Sequence, residues 1–494
     1  MTVTETSVAT DFEVVIGLEV HSQLLTKSKM FCSCSTDYAY AAPNTHVCPV
    51  CMGMPGVLPV INEQAVAYTI MTALALNCSI PAYSKFDRKN YPYPDLMKGY
   101  QISQYDIPLS NNGYLLIDYD GQQKRVGITR VHLEEDTARL LHHPGYSLID
   151  INRAGTPLME IVSEPDMRSP LEARLYMQKL REILVYLGVS SGRMEEGSLR
   201  CDANISIRPR GQQRLGVKTE IKNMNSFRSV ERALTYEAQR QIELLRSGQT
   251  ISQETRGWVE TKGITVSQRS KEQAHDYRYF PEPDLPPLVI SPAWVEELRA
   301  SLPELPDARR ARYMREYGLS AQDANALTED KALGDYFEQV VEASSTPNGA
   351  ARAKAAANLT LNDVARLLKA HSTGISENLL TPAASANLLD LLDANRITGK
   401  QAKDIVEEAF VSGKMPEAIV KEKGIQPPIS DEGQLLRIIE EVIANNSKAA
   451  NDYRAGKVNA LQSLIGQVMK QTRGQAKPDS VRTLLIKKLE ETNQ

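Results

Sequence analysis

The strongest constraint on this chain is a change of texture near Pro292. Upstream, the sequence runs as short apolar–polar alternations separated by Gly, Pro and Asn turns, the period of two that a strand with one buried face requires. Residues 14–24, 115–118, 125–132, 203–208 and 216–222 are the clearest cases, and helical periods over 169–187 and 229–245 interrupt them. Strands and helices do not alternate regularly, so the pattern predicts an α+β domain on antiparallel sheet rather than a doubly wound fold. Downstream the alternation vanishes. Residues 298–337 carry helical periods broken by Pro303 and Pro306, and an Ala-rich stretch fills 350–370. A hinge is expected over 413–428. Three amphipathic stripes follow: Leu435, Ile439, Val442 and Ile443; then Val458, Leu461, Ile465 and Val468; then Val481, Leu484, Leu485 and Leu489. The expected organisation is an N-terminal antiparallel-sheet cradle over 1–295, a helical domain over 296–412 and a small all-α tail over 413–494. No internal repeat or low-complexity tract is apparent.

Charge narrows the partners. The 494 residues hold 57 Lys and Arg against 61 Asp and Glu, a net of −4, so no global basic field draws the molecule onto nucleic acid. Residues 447–494 alone carry nine basic and four acidic side chains, net +5, which leaves −9 for the rest and makes the tail the basic region. The start, MTVTETSVATD, lacks the basic and apolar runs of a signal peptide, and its acids argue against a transit peptide. The longest apolar stretch, 66–76, is too short to span a bilayer. A soluble cytoplasmic protein is expected. There, six cysteines are metal ligands or buried apolar groups rather than a disulfide framework.

Three constellations carry chemistry. Cys32 and Cys34, then Cys48 and Cys51, form C-x-C and C-x-x-C pairs thirteen residues apart. Two tight thiolate pairs meet the tetrahedral demand of zinc at little loop-closure cost, and a site filled by four protein ligands is structural rather than catalytic. His46 is an alternative ligand, while Cys78 and Cys201 are expected to be small buried residues. The second constellation is acids at strand spacing. Alternation puts Glu19, His21 and Gln23 on one face, about 7 Å between neighbours, and does the same for Asp202, Asn204 and Ser206 and for Lys218, Glu220 and Lys222. TRVHLEED adds His132, Glu134 and Glu135. One such strand is an ordinary solvated sheet face; several together line a surface with the hard oxygens that magnesium takes. The third is aromatic, basic and Pro-rich: FDRKNYPYPD at 86–95 and HDYRYFPEPD at 275–284. Arg88, Lys89, Tyr91 and Tyr93 suit phosphates or stacked bases as well as they suit rigid surface loops. Walker A, GxGxxG and HExxH motifs are absent.

Seven segments in order carry a resemblance: GLEVH at 17–21, SKFDRKNY at 84–91, HLEED at 132–136, NRAGTPLMEIVSEPD at 152–166, MEEGSLRCDANIS at 194–206, KNMNSF at 222–227 and DYRYFPEPD at 276–284. Together they resemble the B subunits of the glutamyl/aspartyl-tRNA amidotransferases, from residue 12 to the end. The resemblance implies ATP-dependent transamidation of misacylated Glu-tRNA(Gln) or Asp-tRNA(Asn). In that reaction the side-chain carboxylate is activated as an acyl phosphate, then amidated by ammonia from an amidase A subunit. It implies a small C subunit, contact with the non-discriminating aminoacyl-tRNA synthetase, and ATP, magnesium and structural zinc as cofactors. Carried over residue by residue, Glu19, His21, Glu135, Asp202 and Glu220 belong to the magnesium site, with Glu134 adjacent. Lys89 and Tyr91 hold phosphate or the tRNA 3′ end, with Ser198 and Arg200 as further polar contacts. Pro92 stands where the family pattern carries an aromatic residue, and a proline ring does not stack as phenylalanine does. The rivals are a non-catalytic tRNA adaptor, which leaves the acids unexplained, and a free-standing amide ligase, which has no use for tRNA or a basic tail.

Overall fold

In a computed structural model, residues 11–270, 276–344, 349–427, 432–455, 457–472 and 475–491 are described. Of fifteen strands among the described residues of the first unit, eleven make its two larger sheets: β1 (Phe12–Gln23), β2 (Asp87–Asn90), β3 (Tyr100–Ser103), β4 (Ser110–Tyr119), β5 (Gln122–Glu135), β6 (Pro157–Ser163), β7 (Leu199–Pro209), β8 (Thr219–Met224), β9 (Glu254–Val259), β10 (Ile264–Ser270) and β11 (Phe280–Pro281). Eight form one sheet in the order β10-β9-β8-β7-β1-β6-β5-β4, antiparallel except where β8 runs parallel to β9. A small sheet, β11-β2-β3, accompanies it.

Alternation decides which way each strand faces. On β1, Val14, Ile16, Leu18 and Val20 are buried while Glu19, His21 and Gln23 stay half-buried on the opposite face. On β7, Leu199, Cys201, Ala203 and Ile205 are buried, with Arg200, Asp202 and Asn204 opposite. The apolar residues join α1 (Glu63–Ala75), α2 (Pro170–Tyr186) and α3 (Phe227–Arg246) in one core. Ser169 and Ser226 cap α2 and α3 through their hydroxyls, and Pro170 takes the first position of α2, where its missing N–H costs nothing. The chain after α1 passes so close to β4 that a Cβ on Gly113 would collide with Cys78 Sγ. Cys78 and Cys201 are both buried.

Packing assigns each joining helix to a core. The first unit ends at Pro306, because the helix α4 (Pro292–Ala300) and the turn after it lay Trp294, Val295, Leu298, Leu302 and Leu305 on the first core. The second unit, Asp307–Gln494, is helical with two cores. Its first core extends past the expected boundary at 412, since Ile419 and Val420 in the helix Pro416–Glu422 are buried in it. Gly413 ends the preceding helix with φ 70°, while Pro428 lies outside the described residues. The other core gathers Leu435, Ile439, Val442, Leu461, Leu464, Val468, Val481, Leu484, Leu485 and Leu489. Val458 is 70% exposed and Leu464 takes the inward place expected for Ile465, because the helix there begins only at Ala460. Among the described residues, no helix is long and apolar enough to cross a membrane.

Candidate functional site

Strand register builds the site. On the polar face His132 of β5 lies opposite Glu160 of β6, Glu160 opposite His21 of β1, and His21 opposite Arg200 of β7. This row brings His21 Nε2 to 3.5 Å from Glu160 Oε2 and 3.8 Å from Glu134 Oε1, while His132 Nε2 reaches Glu160 Oε2 at 3.2 Å. His21, Glu134 and Glu160 each offer a ligand atom within 4.8 Å of the others. The two buried carboxylates supply the hard oxygens that magnesium or manganese takes, and the imidazole adds one borderline nitrogen. Burial works against the His21 imidazolium, but the hydrogen bond to Glu160 and the charges of Glu160, Glu134 and Asp202 lift its pKa to about 9. Burial pushes the Glu160 carboxyl up, and the two imidazoles outweigh this and hold it well below the ordinary range. Glu19 is raised by burial and by the charges of Glu160, Glu220 and Asp202, against a hydrogen bond from Asn204 Nδ2 at 2.8 Å.

The expected magnesium set does not assemble as one group. His21 is in the trio, but Glu135 is not: it points away from Glu134, accepts from the Ile102 N–H at 3.0 Å and pairs with Lys98. Neighbouring residues of a strand face opposite ways, so only one member of the Glu-Glu pair can meet His21. Asp202 and Glu220 share the ammonium of Lys222, which lies 3.1 Å from Glu220 Oε1 and bonded to Asp202. Glu220 also accepts from Thr255 Oγ1 at 2.7 Å. Arg200 pairs with buried Asp136, which accepts from Gln23 Nε2 at 2.7 Å. Ser198 is engaged in its own loop, donating to the Arg193 carbonyl at 2.8 Å and accepting from the Arg193 N–H at 3.0 Å. The Lys89 ammonium lies 4.9 Å over the Tyr277 ring. Burial opposes its charge, yet Glu134, Tyr279, Tyr277 and Glu160 raise its pKa above the ordinary lysine value. Tyr91 stacks on Tyr93 across Pro92.

Sequence reasoning missed Glu160. It lies in PLMEIVS, a strand buried almost throughout, where no alternation marks an outward face. The available signal was the lone charge in an apolar run. Asp136, the anchor of Arg200, was missed as well. Glu19 lines an open cavity of about 470 Å³ together with Gly17, Asn204, Gly216 and Lys218 among others.

Away from the sheet face, Cys32, Cys34, Cys48 and Cys51 bring four Sγ atoms within 4.8 Å of one another. Four soft donors at that spacing fit zinc. A hydrogen bond from Cys32 holds the Cys51 thiol down to about 4, with help from the charge of Lys29, while burial pushes Cys34 up to about 11. The buried Lys29 donates to the His46 carbonyl at 2.9 Å. The His46 ring itself turns to the Ser35 carbonyl, 3.4 Å from Nδ1, and takes no part in the sulfur group.

Comparison with known proteins identifies the family. Residues 14–296 match the family described as the GatB/GatE catalytic domain, and residues 335–489 match the GatB domain. The B subunit of an aspartyl/glutamyl-tRNA(Asn/Gln) amidotransferase from Carboxydothermus hydrogenoformans is 56% identical over 484 residues, 97% of this chain and 99% of the relative. Its counterpart from Moorella thermoacetica is 55% identical over 483 residues, 97% of this chain and 100% of the relative. One from Dehalococcoides mccartyi is 55% identical over 491 residues, 98% and 100% respectively.

Proposed function

Because the chain belongs to the GatB family, we propose that it is the B subunit of a glutamine-dependent, tRNA-dependent amidotransferase. It is a ligase that forms a carbon–nitrogen bond on Glu-tRNA(Gln), Asp-tRNA(Asn) or both. The observation that carries the chemistry is the trio of His21, Glu134 and Glu160 on the polar sheet face. In the first step a side-chain carboxylate oxygen of the misacylated residue attacks the γ-phosphorus of ATP. The bond from that phosphorus to the bridging oxygen breaks, ADP leaves and an acyl phosphate forms. Ammonia released from glutamine by an amidase A subunit then attacks the acyl carbon. Phosphate leaves with the bonding pair, the nitrogen loses a proton, and the side-chain amide remains.

Both partners in the first step are anions, so the site has to supply positive charge. Magnesium held by His21, Glu134 and Glu160 would neutralise phosphate oxygens and orient them for in-line transfer. The chain's own cations act beside it. The Lys89 ammonium feels the charges of Glu134 and Glu160, which supports a role in holding phosphate or the tRNA 3′ end. Lys222 keeps Asp202 and Glu220 from repelling the incoming nucleotide. Glu19 borders a cavity whose volume of about 470 Å³ suits part of a nucleotide. Arg200, fixed by Asp136, orients the strand next to His21. Zinc on the four cysteines supports the fold, and the basic tail supports binding of the tRNA body. A small C subunit completes a heterotrimer, the non-discriminating synthetase supplies the misacylated tRNA, and the work is cytoplasmic as translation is.

Glu160→Gln keeps the shape of the side chain and removes its charge. In the assembled complex it should abolish tRNA-dependent ATP hydrolysis and amide formation together, and added ammonium should not restore them, because the lost step precedes amine attack. ATP turnover at the wild-type rate would overturn the assignment.

A further inference from the structure

Four Lys and Arg side chains are buried among the described residues: Lys29, Lys179, Arg309 and Arg352. Three of them meet acids. Arg309 pairs with Asp335 and Glu338, Arg352 with Asp390 and Asp393, and Lys179 with Glu182. Lys29 is the exception and the most deeply buried, at 0% exposure. Its ammonium donates to two carbonyls, those of His46 at 2.9 Å and Ile151 at 3.3 Å, and no described carboxylate lies within ion-pair reach. Carbonyl dipoles do not neutralise a charge, and a buried ammonium without a counter-charge is costly.

What stands beside Lys29 is sulfur. Its own N–H donates to the Cys34 carbonyl at 2.9 Å, which folds the lysine back under the first cysteine pair. A Cβ built on Gly155 would touch Lys29 Cδ at 3.5 Å and Cys51 Cβ at 3.8 Å, so the lysine stem and a cysteine of the second pair share one wall. The ammonium is near enough for its charge to act on the Cys51 sulfur. Four thiolates around one Zn²⁺ leave a double negative charge on the group. That is an anion of the right sign, in the right place, for a cation that has no carboxylate.

We propose that Lys29 is the built-in counter-cation of the metal-loaded sulfur group, its charge balanced only when zinc holds the four cysteines as thiolates. The proposal rests on the reading of those cysteines as zinc ligands. Lys29 is then a positioning residue. Its ammonium joins the sulfur group to the turn Ile151–Arg153 through the Ile151 carbonyl, and Arg153 Nε lies 3.7 Å from Asp136, the anchor of Arg200. The rival is a hydrogen-bonding clamp between His46 and Ile151 whose worth does not depend on metal.

The test compares the full-length wild type with Lys29→Met, which keeps most of the stem and removes the charge. Zinc affinity is read by competition with a chromophoric chelator, and the melting temperature is taken with zinc bound and after stripping. Lys29→Met should bind zinc at least about tenfold more weakly, the effect of losing an outer partner of a metal ligand. With zinc present it should melt below the wild type. Stripped of zinc, the variant should melt no lower than the wild type, because the anion that the charge serves is gone. Equal zinc affinity in the two proteins overturns the proposal and leaves the zinc reading intact. A melting temperature lowered equally with and without zinc, or a variant that fails to fold where the stripped wild type folds, assigns Lys29 to the clamp and also overturns it. A wild type that binds no zinc strikes the zinc reading itself.

Discussion

Glu134 and Glu135 differ by one residue along β5 and therefore by one face of the strand. The carboxylate of Glu134 approaches His21 and accepts from Ser103 Oγ, while that of Glu135 is bound to Lys98 and the Ile102 N–H. Glu134→Gln should thus lower manganese affinity more than the roughly 10–100-fold that loss of an outer partner gives, with little change in thermal midpoint. Glu135→Gln keeps an acceptor for Ile102 but leaves Lys98 without its charge partner. It should cost about 1–2 kcal/mol of stability and leave metal affinity within a few-fold of wild type. Calorimetric titration with Mn²⁺ and a melting curve on each variant separate the two; equal metal loss in both would refute the facing argument. The same rule explains what the sequence disclosed. Period-two spacing marked the face holding Glu19, His21, Asp202 and Glu220, because those strands carry apolar residues between them. It could not find Glu160, whose neighbours Met159 and Ile161 are buried like itself. Nor could spacing reveal that Lys222 occupies the space between Asp202 and Glu220, since cross-strand partners are a property of register rather than of one strand.

The cysteine knuckle is an element whose attachment to the sheet is independent of its sulfurs. Its base is clamped by main-chain bonds, Met30 N–H to the Gly155 carbonyl at 2.6 Å, Asn62 N–H to Met30 at 2.9 Å and Val60 N–H to Phe31 at 3.1 Å. Between these clamps the chain makes local turns, such as Met52 N–H to Cys48 and Met54 N–H to Pro49, both at 3.0 Å, and is tied at Ala42, Asn44 and His46 to residues 149–152. Tyr40, Met52, Met54, Leu58 and Val60 are exposed. Zinc is therefore asked to order a loop that buries little apolar surface, and loss of one thiolate should release the loop without unfolding the sheet. Elemental analysis should find one zinc per chain in the wild type and none in Cys34→Ser. Residues 30–84 contain no Lys or Arg, so trypsin is blind to the change, while chymotrypsin should newly cut at Tyr38 or Tyr40. A Cys34→Ser protein that keeps its zinc, or that loses activity in proportion to zinc with the loop still protected, would contradict this division of labour.

On the scale of the whole molecule, the sequence located the change from sheet to helix, because loss of period two is visible residue by residue. It did not show which core each joining helix packs on, because a helix belongs to whichever core buries its apolar face. The case that matters most for function is the start of the tail. Cutting at 413 removes Ile419 and Val420, both buried in the preceding core, whereas cutting at 432 removes only residues whose buried side chains belong to the last core. The two truncations thus separate tRNA binding from folding. Both delete residues 447–494, with nine basic against four acidic side chains, and Lys and Arg bound to phosphates release counterions. Removing residues 432–494 should raise the Michaelis constant for aminoacyl-tRNA, flatten the dependence of log affinity on log salt by about 0.9 for each duplex phosphate no longer neutralised, and leave glutaminase activity of the complex largely intact. Removing 413–494 should do the same and also lower the melting temperature, because two buried aliphatic side chains vanish at about 2–5 kcal/mol each if cavities remain. If the shorter deletion leaves tRNA affinity and its salt slope unchanged, the net +5 of the tail is a solvated surface, and the tRNA body is held elsewhere.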